Sequence, residues 1–286
     1  MIEGKVAVVC HDAGAANLLF AWLKEWGLKV SPFMQGPAIE LWQDTFPSIL
    51  LCASLDEAMD GAASLISGTG WASRLEHDAR VLASSMNIRS IAVLDHWVNY
   101  RGRFEMGGSS QFPDELWVAD KWAMRIAQNE LPQIPVHQFD NFYLETQVAR
   151  ISATPSNGTV LYVLEPVRQS WGQNQEGEYQ ALNFALEHVD KLCSSPVMEI
   201  ILRPHPSELP GKYTHYLTVD PRIRMDFSVD LAESISVAEL VIGVESFALT
   251  VALAAGRKVY TSLPPWAPAL RLPHSGIKQI RHLGGI

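Results

Sequence analysis

Short apolar runs alternate with helical segments along most of the chain. Lys5–Cys10 (KVAVVC) has no polar alternation, which is typical of a strand buried on both faces of a sheet. Ala15–Trp26 then has the composition of a helix, and Gly27 is placed to end it. The same alternation recurs through the chain and predicts parallel sheets flanked by helices.

The first block of this pattern runs to a polar segment, Ile151–Gly158 (ISATPSNG), which is the best candidate for a linker. Its further predicted strands are Lys29–Met34, Ile49–Ala53, Ala63–Ser67, Ser90–Leu94, Glu115–Ala119 and Val136–Gln138. Its further predicted helices are Leu55–Asp60, Ser73 to about Met86, and Lys121–Asn129. We predict that Ser73 and Glu76 form a capping box at the start of the second of these.

The second block repeats the alternation. Its predicted strands are Val160–Leu164, Glu199–Leu202, Ile223–Met225, Leu240–Gly243 and Lys258–Thr261. Its predicted helices are Glu176–Cys193, Leu231–Ser236 and Phe247–Ala255, with a helical turn at Ile277–His282. The fold class is therefore predicted to be α/β, with two Rossmann-like domains, 1–155 and 156–286, that face a central cleft.

Ligands of open parallel sheets bind beyond the carboxyl ends of the strands. Six polar segments of this chain follow predicted strands: 11–14, 68–71, 95–97, 165–168, 203–208 and 244–246. We therefore expect these segments to line the functional cleft.

Composition restricts the class of protein. Of the 286 residues, 48% are hydrophobic and 19% are charged, which is enough apolar material for a core and excludes a mainly disordered chain. The net charge of −9 argues against a nucleic-acid partner. Residues 1–155 carry 11 basic and 18 acidic side chains, whereas 156–286 carry 11 and 13. The second half is therefore the less repulsive host for an anionic ligand.

Cysteine spacing and hydropathy indicate a cytoplasmic protein. The three cysteines are widely spaced and include no Cys-x-x-Cys pair, so neither a disulfide scaffold nor a zinc ribbon is indicated. The first residues lack a signal-peptide pattern, and no window reaches the ~18 apolar residues of a membrane span. Peripheral association with a membrane stays compatible with the sequence.

The segment RPHPSE (203–208) is the strongest chemical motif. Pro204 and Pro206 hold the flanking backbone extended at a predicted strand end. Arg203 and His205 are thereby placed to donate hydrogen bonds to a phosphate or diphosphate. The structural alternative is a rigid loop whose histidine caps backbone carbonyls.

The segment GVESFALTVALAAG (243–256) is second. Ser246 lies at the start of an apolar helix, where free N–H groups and the helix dipole favour an anion. Glu245 is placed to accept hydrogen bonds from ribose hydroxyls. Simple capping of the helix by Ser246 is the alternative.

The segment HDAGAAN (11–17) matches neither a dinucleotide fingerprint nor a P-loop. His11 and Asp12 are adjacent titratable groups suited to acid–base chemistry, and Gly14 lets a ligand approach the backbone. A structural histidine and a capping aspartate are the alternative.

The segment LDHWVNYRGRF (94–104) offers a second pair, Asp95 and His96, that is placed to deprotonate an acceptor hydroxyl. Trp97 is suited to stacking on a sugar, and Arg101 or Arg103 to binding an anionic group. The remaining candidates for the cleft are Thr69 and Trp71, in the loop GTGWAS, and Glu165, at the end of a strand.

Taken together, the strand ending in Arg-Pro-His-Pro and the later strand–Gly-x-x-Ser–helix–Ala-Ala-Gly-Arg-Lys-Val unit resemble the C-terminal half of GT-B glycosyltransferases. The likeness covers about residues 160–262 and is strongest to bacterial enzymes that use CMP-activated sialic acid or Kdo. Nucleotide-sugar 2-epimerases and a nucleotide-sugar hydrolase share the layout. The resemblance implies that His205 and Ser246 contact the donor phosphate and Glu245 the ribose. The sialyltransferases' acidic Asp-Asp-Gly motif is missing, so Asp95 and Asp12 compete as the base.

No Asp-x-Asp, His-x-x-x-His or cysteine cluster is present, so we expect neither a metal nor another cofactor, with the nucleotide sugar as substrate. The leading hypothesis is a glycosyltransferase that moves a sugar, CMP-activated by preference, to a surface glycan or small-molecule acceptor. Domain 1–155 is predicted to form the acceptor side, and domain 156–286 is predicted to bind the nucleotide sugar. A nucleotide-sugar hydrolase or epimerase with His11 as acid–base is the alternative. A non-catalytic protein that binds a small ligand is the second alternative. The sequence leaves the base and sugar of the donor, the acceptor, the stereochemical outcome and the oligomeric state open.

Overall fold

The structure is a computed structural model, and it describes residues 2–70, 72–193, 196–228 and 230–283. The chain forms two compact units, Met1–Tyr143 and Leu144–Ile286. Each unit contains its own parallel sheet with flanking helices, which is the Rossmann-like arrangement that the alternating pattern predicts. The functional roles assigned to the two halves of the chain stay predictions.

The first unit contains a six-stranded parallel sheet with the order β2-β1-β3-β4-β7-β8. Its strands are β1 (Val6–Cys10), β2 (Val30–Met34), β3 (Ser64–Ser67), β4 (Arg89–Leu94), β5 (Glu105–Met106), β6 (Ser109–Ser110), β7 (Glu115–Val118) and β8 (Val136–Gln138). Strands β1 and β3 are buried along their whole length, because helices cover both faces of the sheet. Strands β5 and β6 form a separate antiparallel hairpin.

Helices cover both faces of this sheet, and those on one face pack through large aromatic side chains. The helices are α1 (Ala13–Trp26), α2 (Ala38–Thr45), α3 (Leu55–Met59), α4 (Leu75–Ser85) and α5 (Lys121–Glu130), with a 3₁₀ turn at Arg101–Phe104. The next helix, α6 (Phe142–Ala149), begins in the first unit and continues into the second. Helix α1 ends at Gly27 in the left-handed conformation, as predicted. Phe20 and Trp22 of α1 and Trp42 of α2 are buried against the strands.

Two expectations for the first unit are wrong. Ile49–Ala53 is not a strand: Cys52 N donates to Pro32 O of β2 at 2.8 Å, but Pro32 has no N–H with which to continue a ladder. Ser73 and Glu76 do not form a capping box either. Ser73 Oγ accepts from Leu75 N at 3.1 Å, whereas the Glu76 carboxylate accepts from the backbone N–H of His11 at 2.8 Å.

The second unit repeats the architecture with the strand order β11-β10-β9-β12-β13-β14. Its strands are β9 (Thr159–Val163), β10 (Glu199–Arg203), β11 (Ile223–Met225), β12 (Leu240–Gly243), β13 (Lys258–Thr261) and β14 (Lys278–Gln279). Its helices are α7 (Gly177–His188), α8 (Leu231–Val237) and α9 (Phe247–Ala254), with 3₁₀ turns at Val189–Lys191, Thr214–Thr218 and Ile280–His282. Part of the predicted helical turn at Ile277–His282 is thus the strand β14.

The polar segment 151–158 is irregular and lies within the second unit, whose side chains hold it. The buried Arg257 donates to Ser152 O at 2.8 Å and to Thr154 Oγ1 at 2.7 Å, and Ser152 N donates to Ser236 Oγ at 3.1 Å. The segment therefore has the composition of a linker, but these hydrogen bonds fix its position.

None of the helices in the described ranges combines the length and the apolar composition that crossing a membrane requires.

Candidate functional site

Three neighbouring strands of the first unit end in the segments that carry its predicted chemistry. Strand β1 is followed by His11 and Asp12, β3 by 68–70, and β4 by Asp95 and His96. Because β1, β3 and β4 are adjacent and parallel, these residues lie together at the carboxyl edge of the sheet. This arrangement agrees with the usual position of ligands in open α/β sheets.

Asp95 is held by a buried arginine. Arg103 Nη1 donates to Asp95 Oδ1 at 2.8 Å and to Thr69 Oγ1 at 3.0 Å, and Thr69 Oγ1 donates to Val93 O at 2.8 Å. Thr69 is fully buried, and its hydroxyl orients the guanidinium of Arg103. Of the two arginines considered from sequence, Arg103 contacts this cluster, whereas Arg101 is exposed and pairs with Glu105.

Glycine leaves room for the carboxylates at this edge. A Cβ at Gly14, in the first turn of α1, would overlap Asp95 Oδ2, and one at Gly70 would overlap Asp12 Oδ2. In the structure, the space beside Gly14 that the sequence suggested for a ligand is filled by the carboxyl of Asp95. The small residues after β1 and β3 thus allow side chains from neighbouring strands to approach the backbone.

His11 and Asp12 form a pair, with Nδ1 and Oδ1 2.7 Å apart. The backbone N–H of His11 donates to Oε1 of Glu76, whose side chain is fully buried in helix α4. Burial, reinforced by the nearby Asp12, raises the pKa of Glu76. The His11 ring packs on Gly36, where a Cβ would lie 2.6 Å from Nε2. Asp12 precedes α1 but makes no side-chain capping bond, so its carboxylate is oriented by His11.

The remaining candidates of the first unit take different positions. Trp97 is only 6% exposed and donates to Asp120 Oδ2 at 2.8 Å, which leaves little of its ring for stacking on a sugar. His96 packs against Trp97, with ring centroids 5.3 Å apart. Trp71 lies outside the described residues.

Sequence reasoning gave Glu76 only a capping role and left it out of the site. Its spacing from Ser73 fits a capping box, and that local interpretation hid the contact with His11, 65 residues away. No sequence signal marks this contact, because the residues that flank Glu76 in the segment RLEHD are mostly polar.

Substitution of Gly14 by alanine tests the packing of Asp95. Alanine normally favours a helix over glycine by about 1 kcal/mol. Here we expect a net loss of about 1–3 kcal/mol in the free energy of unfolding, because Asp95 must move away from Arg103. Urea denaturation measures the change. In a double-mutant cycle, Gly14→Ala and Asp95→Ala should be coupled by at least about 1 kcal/mol. A Gly14→Ala variant as stable as the original protein would contradict this account.

The second unit has a corresponding edge at the ends of β10, β9 and β12. His205 follows β10, Glu165 follows β9, and Glu245 and Ser246 follow β12. Since these strands are neighbours, Glu165 lies between the His205 loop and the start of helix α9. The two flanking strands are about 10 Å apart, given ~4.8 Å per strand spacing.

The RPHPSE loop is tied to the rest of the unit at both ends. Arg203 Nη1 donates to Asp226 Oδ2 and to Ser234 Oγ, each at 2.7 Å, so this guanidinium is engaged within the protein. The buried carboxylate of Glu208 accepts from Lys212 at 2.8 Å and from Tyr213 at 2.6 Å. His205 lies between these anchors with an exposed ring whose Nδ1 is 2.8 Å from Ser207 Oγ.

A serine cap and the hydrogen bonds of two carboxylates hold the start of helix α9. Ser246 Oγ accepts from Ala248 N at 3.2 Å, as in an ordinary cap. Glu165 Oε2 accepts from Glu245 N at 2.9 Å. Both oxygens of Glu245 are engaged by Arg271, through its backbone N at 2.6 Å and its guanidinium Nε at 2.8 Å. A ribose hydroxyl bound by Glu245 would have to share these oxygens with Arg271.

Burial raises the pKa of Glu165 to about 7, and the neighbouring Glu245 adds to the effect, while backbone N–H groups and Arg271 oppose it. Near neutral pH the carboxyl therefore changes its charge at the place where a helix start favours an anion. In its neutral form Glu165 would not repel a phosphate.

Replacement of Glu165 by glutamine tests this raised pKa. A folded-state pKa above the ordinary 4.5 means that wild-type stability declines as pH rises from about 4.5 through about 7. We expect no such decline in the glutamine variant. Its free energy of unfolding minus that of the original protein should increase by on the order of 3 kcal/mol between pH 4.5 and pH 8. Urea denaturation across this pH range measures it, with the exposed Glu187→Gln as control. Parallel pH profiles for Glu165→Gln and the original protein would contradict the prediction.

Within the ranges that the structure describes, no three His, Cys, Asp or Glu side chains come together as metal ligands. The expectation of a reaction without metal or cofactor stays a prediction.

Comparison with known proteins supports the fold. No family model and no curated protein sequence matches the chain. Among solved structures, the glycotransferase of kitacinnamycin is 14% identical, with a TM-score of 0.54 over 94% of this chain and 82% of that chain. UDP-N-acetylglucosamine 2-epimerase from Rickettsia bellii is 13% identical, with a TM-score of 0.51 over 87% and 76%. A Listeria monocytogenes protein, provisionally named as the same type of epimerase, is 13% identical, with a TM-score of 0.56 over 91% and 79%.

The chain shares their fold. The prediction of two Rossmann-like units of the GT-B type is thereby confirmed. At these identities the likeness extends to the fold and not to an activity.

Proposed function

We propose that the protein is a glycosyltransferase that moves a sugar from a nucleotide-activated donor to an acceptor hydroxyl. The observation that carries the proposal is the edge of the second unit, where His205 and the start of helix α9 flank Glu165 on adjacent strands. This arrangement offers a ring N–H donor and a helix dipole to a phosphate. The fold shared with a glycotransferase adds to the support.

In this proposal, the second unit holds the donor. His205 and the positive end of the α9 dipole stabilise the negative charge that develops on the nucleotide phosphate as its bond to the sugar breaks. Arg203 and Glu208 act by fixing the loop that carries His205, because their own polar groups are engaged by Asp226, Lys212 and Tyr213. No metal or cofactor takes part.

The first unit holds the candidates for the base. The acceptor oxygen attacks the anomeric carbon while a base takes the hydroxyl proton. Asp95 has one oxygen engaged by Arg103, whereas His11 is oriented by Asp12 through a 2.7 Å contact. We therefore prefer the His11–Asp12 pair, with Asp95 and His96 as the competing candidates. A CMP-sugar as donor, a glycan or small molecule as acceptor and a cytoplasmic location stay predictions from the sequence.

Loss of His205 tests the donor site. A panel of CMP, UDP and GDP in thermal-shift assays identifies the nucleotide that stabilises the protein. We expect His205→Ala to weaken its binding by about 10–100-fold, as for the loss of a charge-assisted hydrogen bond, and to lower turnover. His215→Ala, on the exposed face of the same unit, is the matched control. Unchanged nucleotide affinity and turnover in His205→Ala would remove the basis of the proposal.

A nucleotide-sugar hydrolase or epimerase is the second candidate. It is favoured by the His11–Asp12 pair and by the fold shared with UDP-N-acetylglucosamine 2-epimerase. Incubation with a nucleotide sugar and no acceptor separates the two. The glycosyltransferase should release little nucleotide under these conditions, whereas stoichiometric release or a new sugar epimer, abolished in His11→Ala, would establish the second candidate instead.

A further inference from the structure

The first unit has a cavity of about 430 Å³ at the edge of the sheet opposite its predicted site. It lies where β4 and β7 begin and where α1 ends, and its walls are Ile2, Trp26, Leu28, Arg89, Glu115, Trp117, His137 and Phe139. None of the lining residues belongs to the His11 and Asp95 cluster, although Trp117 pairs with Val93, two residues before Asp95. Its volume falls within the range of small-molecule sites.

The inner wall consists of aromatic rings that hold one another in place. Trp26 and Trp117 are 5.4 Å apart between ring centroids, and Phe139 is 5.0 Å from Trp26 and 4.9 Å from Trp117. Behind them, Trp22 stacks on Trp26 at 5.8 Å and donates to Asp140 O at 2.8 Å. Because each ring is fixed by edge-on contacts with its neighbours, the wall is preformed and presents apolar surface to a planar group.

The mouth of the cavity is polar and carries one arginine, one histidine and one glutamate. Arg89 opens strand β4 and Glu115 opens β7, and Arg89 Nε donates to Glu115 Oε1 at 2.7 Å. His137 Nε2 lies 3.4 Å from the other oxygen of Glu115. Two basic side chains therefore share one carboxylate, and both are about half exposed at the entrance. When His137 is protonated, the two cations outnumber the single carboxylate, and the mouth then favours an anionic group on the occupant.

We propose that this cavity binds a small molecule with a planar apolar body and one anionic group, such as an aromatic carboxylate or sulfonate. The body lies against Trp26, Trp117 and Phe139, and the anionic group meets Arg89 and His137. The site is separate from the proposed donor and acceptor chemistry and does not depend on it.

A matched pair of fluorescent probes tests both parts of the proposal. 1-Anilinonaphthalene-8-sulfonate has the planar body and an anionic group, and N-phenyl-1-naphthylamine has the same body without the charge. Energy transfer from tryptophan to the bound probe reports binding. We expect both probes to bind, and Leu28→Trp, which fills the cavity, to weaken each at least 10-fold. Leu50→Trp, at an exposed position away from the cavity, is the control.

The charge is tested by variants of opposite sign. Arg89→Gln should weaken the sulfonate about 5-fold, as for a partly exposed ion pair, and leave the uncharged probe unchanged. Glu115→Gln should strengthen the sulfonate by about 2–5-fold because it removes the carboxylate at the mouth. Arg224→Gln, in an exposed ion pair with Glu199 of the second unit, is the control.

Three outcomes would overturn the proposal. The first is no probe binding to the original protein. The second is equal affinity in Leu28→Trp and the original protein, which would place the probe elsewhere. The third is an Arg89→Gln variant that weakens both probes alike, or neither, which would remove the anionic part of the assignment. Arg89 is half exposed and Glu115 lies at the mouth, so these polar variants keep the test independent of whether Leu28→Trp folds.

Discussion

Parallel pairing of every strand in the two six-stranded sheets is the constraint on which both candidate sites depend. A parallel sheet sends all of its strand ends to one edge, so residues far apart in sequence meet without any direct chain connection. His11, Thr69 and Asp95 come together in the first unit in this way. In the second unit, Glu165, His205 and Ser246 lie on three neighbouring strands for the same reason. The long connections that parallel strands require supply the flanking helices.

The edges gather carboxylates that are partly or wholly withdrawn from water, and each of these needs compensation. Asp95 has Arg103, Glu245 has Arg271, and Glu165 has backbone N–H groups before α9. Glycine at positions 14 and 70 provides the room for this arrangement. Where the compensation is incomplete, as at Glu165, the protonated form is stabilised relative to the charged form, and the pKa of the carboxyl is raised to about 7. Each of the two sheet edges therefore depends on several carboxylates with their hydrogen-bond partners and not on a single reactive group.

The alternating pattern predicted the architecture because strands buried on both faces are continuous apolar runs that stand out in a sequence. Val6–Cys10 and Leu240–Gly243 are of this kind. Position at strand ends also selected residues that do lie together, such as Asp12 and Asp95. The pattern gave wrong predictions where the local structure depends on contacts between residues that are distant in sequence. Glu76 has the spacing of a helix cap, yet it contacts His11, and Ile49–Ala53 has strand composition next to a proline that cannot extend the ladder.

The central claim is that the carboxyl edge of the second unit binds the phosphate of a nucleotide. Hydrogen–deuterium exchange with and without saturating nucleotide tests this most directly, because it reports protection along the whole chain. The account predicts slower exchange in the loop 203–208 and at residues 244–248, because the phosphate would lie against the His205 loop and the start of α9. Protection confined to other segments, with these two unchanged in the presence of bound nucleotide, would contradict it.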